Sequence, residues 1–341
     1  MKRRLPAEWE EQDGVLIAWP HEGTDWSAHL DQVEPVFAEI VRQVSRFEIA
    51  LVAAPDPDRV LAAAARVGAV MSNVRVCRIA TNDTWARDFG PITIESKGKQ
   101  VLLDFGFNGW GLKFAANLDN LVTRRLHEAG AFGPVTRRSV GLILEGGSIE
   151  SDGLGTILTT AACLLEPNRN PNLSRGEIQA RLADLLGANQ VLWLENGFLA
   201  GDDTDSHVDT LARLCPEDTI AYAQCDDTVD EHYPALSKME QELKLFRTRT
   251  GSPYRMVPLP WPEPCFGPEG ERLPATYANF LAINGAVLVP TYRDRSDTTA
   301  LEAIGTAFPG REIIGIDCLP LLLQHGSLHC VTMQLPRGML C

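Results

Sequence analysis

The sequence predicts an α/β fold, and three observations carry the prediction. Strand-like apolar runs alternate with helix-length segments whose apolar residues recur every three or four positions. The 341 residues are 45% hydrophobic and 22% charged, ordinary proportions for a chain that folds around a substantial core. Polar residues that packing alone does not demand stand near strand ends at separations of about 60 residues, as a repeated α/β unit would place them.

The opening elements set the rhythm. Residues 14–19 contain Val15-Leu16-Ile17-Ala18-Trp19, a buried strand stopped by Pro20. In 29–45 the positions Val33, Val36, Phe37, Ile40, Val41 and Val44 make one helical face. A strand at 47–53, an alanine-rich helix at 58–67 and a strand at 74–79 follow. Further strands are predicted at 101–105, 142–150, 155–160, 191–194, 219–223, 286–290 and 312–316, and helices at 117–129, 174–186, 234–248 and 298–307. The turn-rich stretches 168–172 and 258–264 read as ordered loops, so residues 1–341 are expected to form a single domain.

A net charge of −14 disfavours nucleic acid and anionic membranes as partners and attracts small cations. The start, Met1-Lys2-Arg3-Arg4-Leu5-Pro6, lacks the apolar stretch of a secretory signal, and no run reaches the length of a membrane span. Eight cysteines, including Cys163, Cys330 and Cys341, are scattered without CxxC pairing; they read as reduced thiols of a cytoplasmic protein.

Four segments carry candidate chemistry. Asn82-Asp83-Thr84-Trp85-Ala86-Arg87-Asp88 follows a strand and offers Asp88 to a pocket walled by Trp85. In Leu142-Ile143-Leu144-Glu145-Gly146-Gly147 a carboxylate ends an apolar strand, beside two glycines that permit close backbone approach. His207 and Asp209 are two apart, and on an extended segment they share a side. Cys330, where the Gly326-Ser327 loop runs into Val331-Thr332-Met333, suits a partly exposed nucleophile held by a rigid strand. From Asp88 to Glu145 is 57 residues, from Glu145 to His207 is 62 and from His207 to Cys330 is 123. A propeller of roughly 60-residue units would bring all four to one central cavity.

Asp205-x-His207-x-Asp209 also copies a ligand run of the binuclear manganese ureohydrolases. Such a site also needs a second Asp-x-Asp run and a further histidine in a glycine-aspartate context, and none of the remaining histidines, at 21, 29, 127, 232, 325 and 329, has that surrounding.

Taken together, the segments resemble the agmatine deiminase family of guanidine-modifying enzymes. The resemblance runs nearly end to end through Pro6-Ala7-Glu8-Trp9-Glu10, Ala18-Trp19-Pro20, Trp85-x-Arg87-Asp88-x-Gly90-Pro91, Leu144-Glu145-Gly146-Gly147-Ser148, Asp152-Gly153-x-Gly155-Thr156, Asn168-Arg169-Asn170-Pro171, His207-Val208-Asp209 and His329-Cys330-Val331-Thr332. Two departures stand where the family usually has glycine, at Ser206 and around His325.

The resemblance implies a five-bladed α/β propeller of the pentein fold, in which Cys330, His207, Glu145, Asp88 and Asp209 are catalytic. Asp88 and Asp209 would clamp the planar guanidinium. Cys330 would attack its carbon, and His207 would protonate the leaving ammonia and then activate water. Glu145 would hold either His207 or a guanidinium nitrogen. No metal or cofactor enters this scheme. Trp19, Trp85 and Trp110 are placed to line an apolar slot, and His329 is expected to face away. The expected partner is a small cationic guanidine, agmatine first; a homo-oligomer stays open. Alternatives are a bacterial-type peptidyl-arginine deiminase, a manganese ureohydrolase and a binding protein on the same propeller.

Overall fold

The computed structural model describes residues 3–340, so the expectations for Met1, Lys2 and Cys341 lie outside the described residues. Within them, one pattern recurs in five sheets: an antiparallel pair, then a helical crossover to a parallel third strand. One sheet joins Ile92–Ser96, Lys99–Gly106 and Thr136–Ile143. The next joins Ile149–Ser151, Thr156–Thr160 and Gln190–Leu194. Then come Ala212–Cys215, Thr219–Ala223 and Arg255–Leu259, followed by Leu281–Ile283, Ala286–Thr291 and Glu312–Asp317.

The remaining unit is built from both ends of the chain. Gln12–Ala18 pairs in parallel with Ile49–Ala54, which pairs with Val74–Arg78, while its antiparallel partner is Thr332–Pro336. The last strand thus closes the ring of units on the first. The small hairpin of Cys265–Phe266 with Arg272–Leu273 stands apart.

Local sequence explains the crossovers. Leu30–Ser45 buries the face built on Val33, Phe37, Ile40 and Val44. Pro57–Arg66 starts with proline at its first turn behind an Asp56 cap. Arg175–Leu186 has a Ser174/Glu177 capping box and ends on Gly187 at φ 77°.

The strands that sequence reading missed are chiefly the first of each unit: Ile92–Ser96, Ala212–Cys215, Leu281–Ile283 and, apart from its apolar start, Thr332–Pro336. They are short, and several carry polar residues inward. Arg213 on Ala212–Cys215 bonds Glu150 of a neighbouring unit at 2.6 Å and Glu8 at 3.1 Å; Glu8 also accepts from the Ala282 amide at 2.8 Å. Glu8 thus marks the axis where the units meet, and polar axial side chains interrupt the apolar runs by which strands are recognised. The continuous strand expected at 142–150 is corrected for the same reason. Thr136–Ile143 ends one sheet, Gly146–Ser148 forms a single 3-10 turn, and Ile149–Ser151 begins the next. Glu145 lies between sheets, where the chain turns to the axis.

Candidate active site

Each first strand is preceded by a tight turn, and these turns deliver the polar side chains. Asp88 rides on the one-turn helix Ala86–Phe89, Glu145 caps Gly146–Ser148, and His207 and Asp209 flank the start of the 3-10 turn Val208–Thr210. The last pair therefore meets through a turn and not along an extended segment. Cys330 lies in the turn before Thr332–Pro336. All five are buried, with Cys330 at 7% exposure, less open than a partly exposed thiol would be.

Gly147 shows how closely they converge. A Cβ there would lie 2.6 Å from His207 Nδ1, 2.9 Å from Asp88 Oδ1 and 3.1 Å from Asp209 Oδ2. Its amide instead donates to Asp88 Oδ1 at 3.0 Å. His207 Nε2 donates to Glu145 Oε2 at 3.2 Å, and its Nδ1 lies 3.6 Å from Asp88 Oδ1. Glu145 therefore holds the imidazole. It is held in turn by Arg169, whose Nε donates to its two oxygens at 3.0 and 2.8 Å. Asp209 gives Oδ2 to His329 Nδ1 at 2.7 Å, while its Oδ1 is buried without a hydrogen-bond partner. An unsatisfied buried acceptor is costly and suits a donor brought by a ligand.

The electrostatics follow from burial and charge together. Burial pushes Asp88 up to about 6 against the pull of His207, with Asp209 and Glu145 adding to the rise. Burial disfavours the His207 imidazolium, yet the charge of Asp88 and the contacts with Cys163 and Glu145 hold it well above the usual histidine range. Glu145 stays below its ordinary range despite burial because of His207 and Arg169. Burial, then the charges of Asp209 and Asp88, raise Cys330 well above an ordinary thiol. Without a bound cation this sulfur is a thiol.

Beside these groups opens a cavity of about 680 Å³ whose lining includes Cys330, Asp88, Trp85, Trp110, Asp202 and Asp203, while His207, Glu145 and Asp209 are not among its lining residues. Trp110 donates from Nε1 to Asp88 Oδ2 at 3.0 Å. Its backbone is unusual. Gly109, Trp110, Gly111 and Leu112 all have positive φ, at 68°, 54°, 81° and 69°, a left-handed turn in which two residues carry side chains. Asn108 braces the turn by accepting the Gly111 amide at 3.0 Å. Trp19 does not line this cavity, and its expected role is corrected. It is 1% exposed, packs edge-on against Phe37 at 6.0 Å and bonds Glu34 at 3.1 Å. Its apolar strand carries it into the core.

Several functional candidates escaped the sequence. Asn279 Oδ1 accepts from the amides of His329 and Cys330 at 2.9 and 3.3 Å and from the Cys330 thiol at 3.4 Å. No motif announces it; its position in a turn before a first strand is the available signal. His329 does turn from the cavity, but its bonds to Asp209 and Glu8 correct the passive role expected of it. Ser206 and His325, the two departures, have φ of 64° and 63°, in the left-handed region that favours glycine.

Asp205 turns to Arg169 at 2.7 Å and Lys113 at 2.8 Å, so the run Asp205-x-His207-x-Asp209 does not close on one point. Among the described residues, ligand atoms of Glu145, Cys163 and His207 lie within 4.8 Å of one another. Arg169 already places its positive charge on both oxygens of Glu145, which opposes a cation there. Cys163 is fully buried behind Glu145, 3.6 Å from Oε2, and is absent from the cavity lining, unlike Cys330.

Five ββαβ units that turn a thiol, an imidazole and acids toward one axis define a pentein-type enzyme fold. The model of the Porphyromonas-type peptidyl-arginine deiminase family matches residues 4–336. The chain is 33% identical to agmatine deiminase of Pseudomonas aeruginosa (strain LESB58) over 98% of its own length and 95% of that protein. Among solved structures it matches agmatine deiminase of C. jejuni with substrate bound, a cysteine-to-serine variant, with a TM-score of 0.91 and 41% identity over 98% and 97% of the two chains. Agmatine deiminase of Enterococcus faecalis gives 0.90 and 30% over 99% and 96%. The chain belongs to the Porphyromonas-type peptidyl-arginine deiminase family, and these relatives are agmatine deiminases. A dimethylarginine dimethylaminohydrolase structure, at 0.51 and 12%, shares the fold alone.

Proposed function

We propose that this chain hydrolyses agmatine to N-carbamoylputrescine and ammonia, with Cys330 as nucleophile. The observation that carries the proposal is the convergence of His207, Asp88 and Asp209 around Gly147, beside an acidic cavity that Asp88 and Cys330 line. A guanidinium is flat, cationic and rich in N–H donors. Asp88 and the free Oδ1 of Asp209 grip it edge-on, which leaves its carbon open to sulfur.

The bound cation offsets the acids that otherwise keep Cys330 protonated, so the thiol releases its proton to solvent on binding. The thiolate adds to the carbon, and the tetrahedral adduct expels ammonia as His207 gives its proton to the leaving nitrogen. An amidino-thioether remains. Neutral His207 then takes a proton from water, the hydroxide adds to the same carbon, and the carbon–sulfur bond breaks as the hydroxyl proton passes to the departing sulfur, which releases the ureido product and restores the thiol. Glu145 holds His207 in place throughout.

Substrate choice follows from charge. An α-carboxylate, as on free arginine, requires a cationic partner. Arg87 is committed to Glu8 and Arg169 to Glu145, both buried. Lys113, on the cavity wall, is tied to Asp205 at 2.8 Å. Asp25, Asp83, Asp202 and Asp203 also line the cavity, which suits the distal ammonium of agmatine.

Residues 1–341 act in this reading as one catalytic domain, supported by the pairing of Thr332–Pro336 with Gln12–Ala18. Among the described residues no helix is long and apolar enough to cross a membrane, and the proposed location is cytoplasmic. The test is product identification after incubation with agmatine, arginine and a blocked arginyl peptide. Ureido product from agmatine above the other two is expected. Preference for the peptide would move the reading to a peptidyl-arginine deiminase, and urea release would overturn it.

A further inference from the structure

We infer that Asn279 is a positioning residue for the nucleophile: one buried amide holds the sulfur and the backbone of Cys330 and ties the turn that bears them to the turn that bears Asp209. The inference rests on the reading of Cys330 as nucleophile and Asp209 as guanidinium clamp.

Each first strand follows a turn, and four of the five turns supply groups that already have a part: Asp88, Glu145, the pair His207 and Asp209, and Cys330. The turn before Leu281–Ile283 supplies Asn279, which is 0% exposed. An amide closed off from water needs partners at both ends. It finds them in two other turns of the ring.

Asn279 Oδ1 accepts from the amide of His329 at 2.9 Å, from the amide of Cys330 at 3.3 Å and from the Cys330 thiol at 3.4 Å. Backbone amides only donate, so the atom that faces them is the oxygen; a flipped side chain would set its NH2 group against both. The main-chain carbonyl of Asn279 shares the His329 amide at 3.1 Å. At the other end, Nδ2 donates to the main-chain carbonyl of Asp209 at 3.4 Å. The segment before Asn279 is fixed to the same two neighbours. Thr276 donates from Oγ1 to the Thr210 carbonyl at 2.9 Å, and Tyr292, which donates to the Thr276 carbonyl at 2.8 Å, meets Ser327 Oγ at 2.9 Å.

The proposed reaction needs two placements at once. Asp209 grips the guanidinium at its edge, while the sulfur has to stand over the carbon, with the reacting atoms about 3–3.5 Å apart. Acid and sulfur come from different units, so neither turn alone sets their separation. Asn279 sets it by bonding to both. Its bonds also differ in what they depend on. The contact with sulfur uses the thiol hydrogen and ends when the thiol ionises, whereas the contacts with the two backbone amides persist. The turn therefore stays in place while the sulfur is freed to close on the carbon. Asp209 and Asp88 already turn negative charge toward the sulfur, and a neutral amide holds it without adding more.

The test compares the full native chain with Asn279→Ala and Asn279→Ser. Agmatine is mixed with excess enzyme, the reaction is quenched at intervals, and the loss of agmatine is followed in a single turnover. Asn279→Ala is expected to slow that loss by about 100-fold, as misplacing a reacting group by about 1 Å does. Serine, whose hydroxyl replaces an asparagine acceptor more weakly, should recover part of the rate and come within about tenfold of the native chain. Each substitution is also placed in the Cys330→Ser chain, where calorimetry should give the same stoichiometry and an agmatine affinity within about threefold of Cys330→Ser alone, because both clamp carboxylates remain. In steady state the fall should lie in kcat, with KM little changed.

A single-turnover rate for Asn279→Ala within about threefold of native overturns the inference. So does a loss of affinity and stoichiometry that follows the melting temperature, which is what a merely structural asparagine gives. If Asn279→Ala does not fold, Asn279→Ser is read in its place and should slow the single turnover by about three- to tenfold with affinity kept. Failure of both to fold makes the residue structural and overturns the inference as well. A Cys330→Ser chain that still turns over agmatine removes the reading of the nucleophile itself, and that failure is seen without any change at Asn279.

Discussion

Trp110 holds Asp88 from above: the indole Nε1 donates to Oδ2 at 3.0 Å, while the Gly147 amide holds Oδ1 from below at 3.0 Å. The carboxylate is therefore fixed in plane before a ligand arrives. The tryptophan is aimed by the left-handed turn at 109–112, so strain in the backbone is spent on orientation. Trp110→Phe should lower kcat/KM for agmatine by about 10- to 100-fold, the range for a hydrogen bond to a charged group, with little change in melting temperature. Gly111→Ala should act in the same direction, because its φ is 81° and a Cβ would meet Glu166 Oε2 at 2.7 Å. Full activity in Trp110→Phe would remove the orienting role.

Two buried cysteines lie near His207 or the acids, and they are expected to behave differently. Cys330→Ser should lose roughly 1,000-fold or more in kcat, because the hydroxyl cannot supply the thiolate. Cys163→Ser, behind Glu145, should stay within about tenfold, as expected of a residue outside the chemistry. Mass spectrometry of the protein quenched during turnover should place an amidino adduct on Cys330. Turnover should be unchanged by EDTA.

The acid side of the rate profile should reflect Asp88. Its carboxylate is pushed up to about 6, above the ordinary 3.8, so the charge needed for the clamp is lost as pH falls through 6. The value of kcat/KM should fall about tenfold per unit below that point. The stability effect has the opposite sense. A raised carboxylate binds its proton more tightly when folded, so it favours the folded state at low pH and costs stability above 6. Relative to the native chain, Asp88→Asn should therefore gain stability as pH rises from 4.5 to 7.5, by roughly 2 kcal/mol in urea unfolding. A constant difference across that range would show that Asp88 does not titrate there.

Arg169 and Glu145, both with fully buried side chains, should depend on each other. Arg169→Met leaves the acid without its main cation and should cost about 3–5 kcal/mol in urea unfolding. Adding Glu145→Gln should return part of that stability without returning activity, because His207 has lost its charged anchor. Additive losses in the double variant would mean that the pair is not coupled.

Much of the site was legible in the sequence because its residues break the rules of packing. Glu145 at the end of an apolar run, Asp88 after a strand, and the close pair His207 and Asp209 are side chains with no role in a core, and their spacing pointed to repeated units. Trp19 misled for the converse reason: tryptophan serves equally as cavity wall and as core, and only its contacts with Phe37 and Glu34 separate the two. Asn279 was invisible, since a lone asparagine before a short strand is ordinary in any loop.

The sequence by itself determined the α/β alternation, through periods of apolar residues, and singled out the five groups proposed to carry the chemistry. Tertiary structure decided what each group does. Whether Glu145 holds His207 or a ligand, whether Arg87 is free for a carboxylate, and whether His329 is idle all depend on neighbours tens to hundreds of residues away. The physical reason lies in the axis. Side chains from five units share one buried centre, where each charge is set by those packed against it, and no stretch of a single unit carries that information.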